Sequence, residues 1–205
     1  MPSESNASGG GVVGVVMAAG IGSRFGSDKR RARLPDGRTL LATTLATVSP
    51  AFSRCFLVLR PQDEIEHLLG GAPPPGVEPL TAPHAAAGLA ASLGDAFRQL
   101  LERGAIHDAR AAAVLLGDMP WLQVRTCHAL VAQAASDRIV VPRCDDRSGH
   151  PVLFGRDFWT ALAALTTGEG ARTVVSAHRS AVQLVETDDA GIWRDVDRPG
   201  DLSTR

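Results

Sequence analysis

The sequence predicts an α/β fold, a mostly parallel sheet with helices on both faces. Short apolar runs at 12–17 (VVGVVM), 55–59 (CFLVL), 111–116 (AAAVLL) and 138–141 (RIVV) alternate with helix-length segments. Parallel strands joined by crossover helices need that alternation. Two of these runs open at once into loops of distinctive composition, 18–26 and 117–120. Both loops sit at carboxyl ends of strands, where ligands of such sheets gather.

In chain order, residues 1–10 (MPSESNASGG) have neither a basic n-region nor an apolar h-region. They are expected to be a flexible tail rather than a signal peptide, and residues 11–205 a single domain. Residues 12–17 are too short and too β-branched for a helix, and read as a strand buried on both faces. Residues 39–48 make a short helix ending before Ser49-Pro50. Residues 55–59 are a second buried strand, and 62–69 a short helix closed by Gly70-Gly71. The segment 72–76 (APPPG) suits neither a helix nor a central strand, and 77–80 is a short strand. Residues 85–103 form the longest helix, with Leu89, Leu93, Phe97 and Leu100 at helical spacing. Residues 111–116 are a third buried strand and 124–135 another helix. Residues 138–141 are a strand stopped by Pro142, and 152–154 is strand-like.

Composition narrows the function classes. The chain of 205 residues is 44% hydrophobic with a formal net charge of −1. Nothing in that balance favours general binding to nucleic acid or to an anionic membrane. No apolar run approaches the roughly 20 residues that span a bilayer, so a cytoplasmic protein is expected. Cys55, Cys127 and Cys144 are widely spaced, which speaks against a disulfide framework or a structural zinc site.

The loop after the first strand holds Ala18, Ala19, Gly20, Gly22 and Gly26, with Arg24 and Lys29 among them. Small residues let backbone approach a ligand closely, and exposed N–H groups favour an anion. Arg24 can grip phosphate oxygens in a fork, and Lys29 supplies a point charge. Asp118 follows a buried strand and precedes Met119-Pro120. A carboxylate facing a phosphate cradle repels it unless a cation lies between, and Mg²⁺ suits that gap. Asp118 alone is equally a turn-forming residue that caps the next helix. A dinucleotide-binding reading fits less well, because the third glycine of its fingerprint is misplaced at Gly26.

These motifs resemble those of the MobA-like nucleotidyltransferases, and within them the molybdenum cofactor cytidylyltransferases. The family's opening motif is similar to LAAGxGxRxGxxK, and this chain reads MAAGIGSRFGSDK; its acidic GDMP motif stands at 117–120. GHPV at 149–152, GEGAR at 168–172, and Asp195, Asp197, Pro199, Asp201 and Leu202 of a closing D-x-D-x-P-x-D-L follow in family order. The resemblance implies a Rossmann-like three-layer α/β/α nucleotidyltransferase fold, similar to that of glycosyltransferase-A proteins. It implies that Ala18, Ala19, Gly20, Gly22, Arg24, Lys29, Ser92, Gly117 and Asp118 bind the nucleotide. Arg24, Lys29 and Asp118 would carry catalysis. Asp118 would hold Mg²⁺, with Asp197 the second ligand and Asp195 its rival.

His150 and Arg172 would meet a phosphorylated acceptor of the molybdopterin type, and a molybdoenzyme would receive the product. Ala18-Ala19-Gly20, where guanylyltransferases of the family carry Ala-Gly-Gly, leans toward CTP, since a Cβ at position 19 would narrow the base pocket to suit a pyrimidine. Two departures stand out. The family's G-M-S-S-S-L segment corresponds to Gly88-Leu89-Ala90-Ala91-Ser92-Leu93, with two hydroxyls missing. Arg30, Arg31 and Arg33 occupy a stretch that is usually apolar; they form either an extra cationic rim or, the favoured expectation, a solvated face. Alternatives are a sugar-1-phosphate or other small phosphate ester as acceptor, or a non-catalytic nucleotide-binding protein that delivers a cofactor.

Overall fold

The computed structural model describes residues 11–20, 25–168 and 170–203. Its sheet contains β1 (Val12–Met17), β2 (Arg54–Leu59), β3 (Val77–Thr81), β4 (Ala111–Leu116), β5 (Ile139–Cys144), β6 (Arg147–Ser148), β7 (Val152–Gly155) and β8 (Val182–Glu186). The strands run in the order β3-β2-β1-β4-β7-β5-β6, and β8 also pairs with β5. β3, β2, β1 and β4 are mutually parallel, as are β5 and β8, whereas β7 runs antiparallel to both β4 and β5. Met17 is level with Val58 of β2 and Leu116 of β4. The loops after β1 and β4 therefore leave the sheet side by side.

The alternation of side chains along β1 explains the layers. Val13, Val15 and Met17 enter one core with Leu93, Phe97 and Leu100 of α3 (Leu89–Glu102), Trp159 and Leu162 of α5 (Trp159–Ala163) and Val174 of α6 (Ala171–Ala177). Val12 and Val16 enter the other core. It contains Leu41 and Leu45 of α1 (Leu40–Val48), Leu68 of α2 (Ile65–Leu69) and Leu130 of α4 (Val124–Ala132). The predicted α/β architecture is thus present, with helices on both faces of a mostly parallel sheet.

Several elements differ from their sequence-based bounds, among them the helix expected at 62–69, which spans Ile65–Leu69. The long helix begins at Leu89: 85–87 is a separate 3₁₀ turn, and Gly88, at φ 108°, lies between them. Asp95 of α3 braces that turn, accepting from the main-chain nitrogen of His84 at 2.8 Å. The fifth strand continues through Pro142 to Cys144. The two main-chain polar groups of a strand residue point to the same edge, and the Pro142 carbonyl accepts from Gly149 N. Its missing N–H therefore falls on that edge and not on the ladder with β8. The last helix before it stops at Ala132 rather than 135.

Candidate active site

The loop stems at the β1–β4 rim define the site. Gly117 N donates to the Met17 carbonyl at 3.0 Å. A Cβ at Gly117 would lie 2.9 Å from Leu41 and 3.2 Å from the Ala18 methyl, so glycine is what lets the two stems abut. Ala18 continues the ladder through its nitrogen, which donates to the Val58 carbonyl at 3.0 Å. Asp118 leaves this junction, and Lys29 reaches it from a 3₁₀ turn, Lys29–Arg31, capped by Asp28.

The two groups meet. Lys29 Nζ lies 2.6 Å from Asp118 Oδ2 and 3.3 Å from Asp197 Oδ1, and donates to the Val196 carbonyl at 3.0 Å. The C-terminal segment is clipped on by its main chain, because Val196 N donates to the Asp118 carbonyl at 3.0 Å. Asp201 holds the next turn, accepting from the nitrogens of Asp197 and Arg198 at 3.0 and 2.7 Å. The sequence marked Asp201 only as a member of the closing D-x-D-x-P-x-D-L motif. Its D-x-x-x-D spacing to Asp197 was the available signal.

The electrostatics of the pair are unbalanced. Burial works to strip the proton from Lys29, but the hydrogen bond and charge of Asp118, joined by Asp197, outweigh it and hold the ammonium above its usual range. Burial pushes the Asp118 carboxyl up; Lys29 pulls it down, and the nearby Asp195 charge pushes it up again. Among the described residues, Asp118 Oδ1 is buried with no hydrogen-bond partner. A buried carboxylate oxygen of this kind is costly unless further positive charge reaches it. The donor set thus fits a divalent cation that takes one or two carboxylates and completes its shell with phosphate oxygens and water. Among the described residues, no three His, Cys, Asp or Glu side chains cluster as a closed metal nest.

Beside Asp118 opens a cavity of about 620 Å³. Its walls include Leu116, Val141, Phe154 and Val175, and His150, Arg172 and Asp195 also line it. Both residues expected to meet the acceptor therefore share one cavity with a predicted metal-ligand rival. Gly149 sets His150 in place: any Cβ at 149 would collide with the Ile192 carbonyl, to which His150 N donates at 2.6 Å. The ring Nδ1 is 3.3 Å from the Val114 carbonyl. That acceptor requires the proton on Nδ1 and leaves Nε2 as a lone-pair acceptor. Burial lowers the His150 pKa, against the Val114 carbonyl and the charges of Asp118 and Asp195, while Arg172 adds to the lowering.

The remaining predicted residues fall into three groups. Gly22 and Arg24 lie outside the described residues. Gly20 is exposed at the loop's start, while Ala19 is 1% exposed and its methyl packs in the core with Ala82 and Leu93. The expectation that this methyl directly narrows a base pocket is corrected accordingly. Ser92 is 3% exposed and donates its hydroxyl to the Gly88 carbonyl at 3.2 Å. It braces the 85–88 turn from within rather than presenting a free hydroxyl. The basic run divides: Arg31 and Arg33 are exposed, but Arg30 is buried in an ion-pair network. The expected solvated face therefore holds for Arg31 and Arg33 and is corrected for Arg30.

The fold and these motifs have known counterparts. Rv0371c from Mycobacterium tuberculosis H37Rv is 27% identical, with a TM-score of 0.78 over 94% of this chain and 95% of that one. Its complex with manganese aligns at 25% identity and a TM-score of 0.72, over 94% and 96%. Molybdopterin-guanine dinucleotide biosynthesis protein A from Archaeoglobus fulgidus shares the fold at 19% identity and a TM-score of 0.65, over 93% and 94%. A comparison with curated proteins finds no match. The family model for the MobA-like NTP transferase domain matches residues 14–182, a span that runs from β1 through the Asp118 turn to the start of β8. With that span matched and the loop stems, Lys29 and Asp118 gathered at one rim, this chain belongs to the MobA-like NTP transferase family of nucleotidyltransferases.

Proposed function

We propose that this protein transfers a nucleoside monophosphate, CMP in preference, from an NTP to a phosphorylated acceptor of the molybdopterin type, with Mg²⁺ and release of pyrophosphate. The observation that carries this reading is the Lys29–Asp118–Asp197 cluster at the shared rim of β1 and β4, with one Asp118 oxygen buried and, among the described residues, unpartnered. The acceptor phosphate is already an anion and needs no protein nucleophile. It attacks the α-phosphorus in line, and the bond to the leaving pyrophosphate breaks. The chain's task is positioning and charge stabilisation. Asp118 and Asp197 would hold the metal, which supplies positive charge to the phosphate oxygens. Lys29, freed from the two carboxylates, offers its ammonium to the same phosphates. Arg24 adds a forked contact from the loop.

The apolar walls of the cavity favour an acceptor with a ring body over a sugar phosphate. Arg172 faces its anionic group, and His150 Nε2 accepts from a ring N–H or hydroxyl. The preference for CTP rests on the resemblance of Ala18-Ala19-Gly20 to the cytidylyltransferase motif. The manganese complex of Rv0371c supports a divalent ion in a protein of similar fold. A panel of CTP, GTP, ATP and UTP with Mg²⁺ and candidate acceptors, read as pyrophosphate release, tests the reading. Release that depends on Mg²⁺ and on molybdopterin, greatest with CTP, is expected. Release with a sugar-1-phosphate and not with molybdopterin would replace the acceptor.

A further inference from the structure

Arg30 is only 5% exposed, in a stretch that the exposed Arg31 and Arg33 flank. Each of its five N–H donors has a partner. Nε and Nη2 donate to the two oxygens of Asp28 at 2.8 and 2.6 Å. Nη1 and Nη2 donate to Asp63, the latter bond at 2.9 Å. The remaining Nη1 hydrogen goes to the Ala18 carbonyl at 2.8 Å. Arg60 completes the network, 3.3 Å from Asp28 Oδ2 and 3.2 Å from Asp63 Oδ1, so two arginines neutralise two aspartates.

The partners are not scattered. Ala18 is the first residue of the nucleotide loop, at the end of β1. Asp28 is at the loop's other end, next to Lys29, and caps the Lys29–Arg31 turn by accepting from Arg30 N at 3.2 Å. Asp63 belongs to the turn after β2. One guanidinium therefore ties both stems of the loop to each other and to the neighbouring strand. It also fixes the turn from which the Lys29 side chain departs. A buried ion pair kept for stability alone is replaceable by apolar residues of like volume. Here the Ala18 and Asp28 bonds use the planar fork, which a lysine does not reproduce.

We infer that Arg30 is a positioning residue for the nucleotide: it sets the mouth of the loop and the direction of Lys29 without touching substrate. The inference rests on the nucleotidyltransferase reading above. Its test is calorimetric titration of Mg²⁺ with CTP, GTP, ATP or UTP onto the full chain, with melting temperatures measured in parallel. Wild type is compared with Arg30→Lys, Arg30→Met/Asp63→Leu and Arg33→Ala, each at a temperature where it is fully folded. The double variant removes the buried pair without leaving an orphan charge, and Arg33→Ala removes an exposed cation from the same run.

The expected result is nucleotide affinity reduced about tenfold or more in Arg30→Lys and in the double variant. Arg33→Ala should bind as wild type does. Wild-type affinity in folded Arg30→Lys and in the folded double variant would overturn the inference, since the network would then be structural only. An equal loss in Arg33→Ala would also overturn it, by showing a general charge effect. Failure of wild type itself to bind any of the four nucleotides would remove the transferase reading, and the inference with it.

Discussion

At the scale of single residues, the site is a contest for charge. Lys29 serves as the cation of two carboxylates, yet Asp118 remains under-neutralised because one oxygen is buried and unpartnered. Lys29→Met should lower pyrophosphate release by about a hundredfold, the range seen when one charge-stabilising donor is removed. Steady-state kinetics checks this, and a change confined to acceptor KM would move Lys29 away from the phosphates. His150 offers a pH prediction. Its pKa is lowered by burial, with Asp118, Asp195 and Arg172 as the charges that face it. The unfolded chain therefore takes up this proton first as pH falls. The stability that neutral His150 provides is full above its ordinary pKa and declines as pH drops below it. Denaturant melts from pH 7 to 5 should show a shallower decline in His150→Gln than in wild type; identical slopes would mean that His150 titrates normally. Lys29, Asp118, His150 and Arg172 could be singled out because they stand in short motifs. The roles of Arg30 and Asp201 were not legible, because they depend on turns that bring Ala18, Asp28, Asp63 and Asp197 to them.

At the scale of elements, strands β1 to β5 and β7 and helices α1 to α4 were read from the sequence, whereas β6, β8, α5 and α6 were not, and the clearest errors among the former come from special main chain. A glycine inside an apolar period does not show whether a helix passes through it, so the break at Gly88 was hidden. Pro142 looked like a stop because sequence does not reveal which edge a strand nitrogen faces. The antiparallel direction of β7 was equally unreadable, since it is set by the short connection around Gly149 and not by the strand's own residues. That connection can be tested. Gly149→Ala forces a methyl against the Ile192 carbonyl and should destabilise the protein by about 1–3 kcal/mol. It should also disturb His150. Urea melts give the first quantity; an unchanged midpoint would mean that the 149–152 turn shifts freely.

At the scale of the whole molecule, the sheet places two distinct chemistries along one rim. The parallel half, β3 to β4, ends in the stems of the loop after β1 and the Asp118 turn. The mixed half, β7, β5 and β8, walls the cavity with His150 and Arg172. The C-terminal segment 195–201 bridges them, clipped to Asp118 by its main chain. A nucleotide binding at this junction should raise the melting temperature, with stabilisation growing as the logarithm of its concentration over Kd. The measurement that bears most directly on this arrangement is the affinity of CTP with and without Mg²⁺, in wild type and in Asp118→Asn. The account predicts that Mg²⁺ tightens CTP binding in wild type by about tenfold or more and that Asp118→Asn, still folded, loses that gain. Equal Mg²⁺ enhancement in both proteins would contradict it.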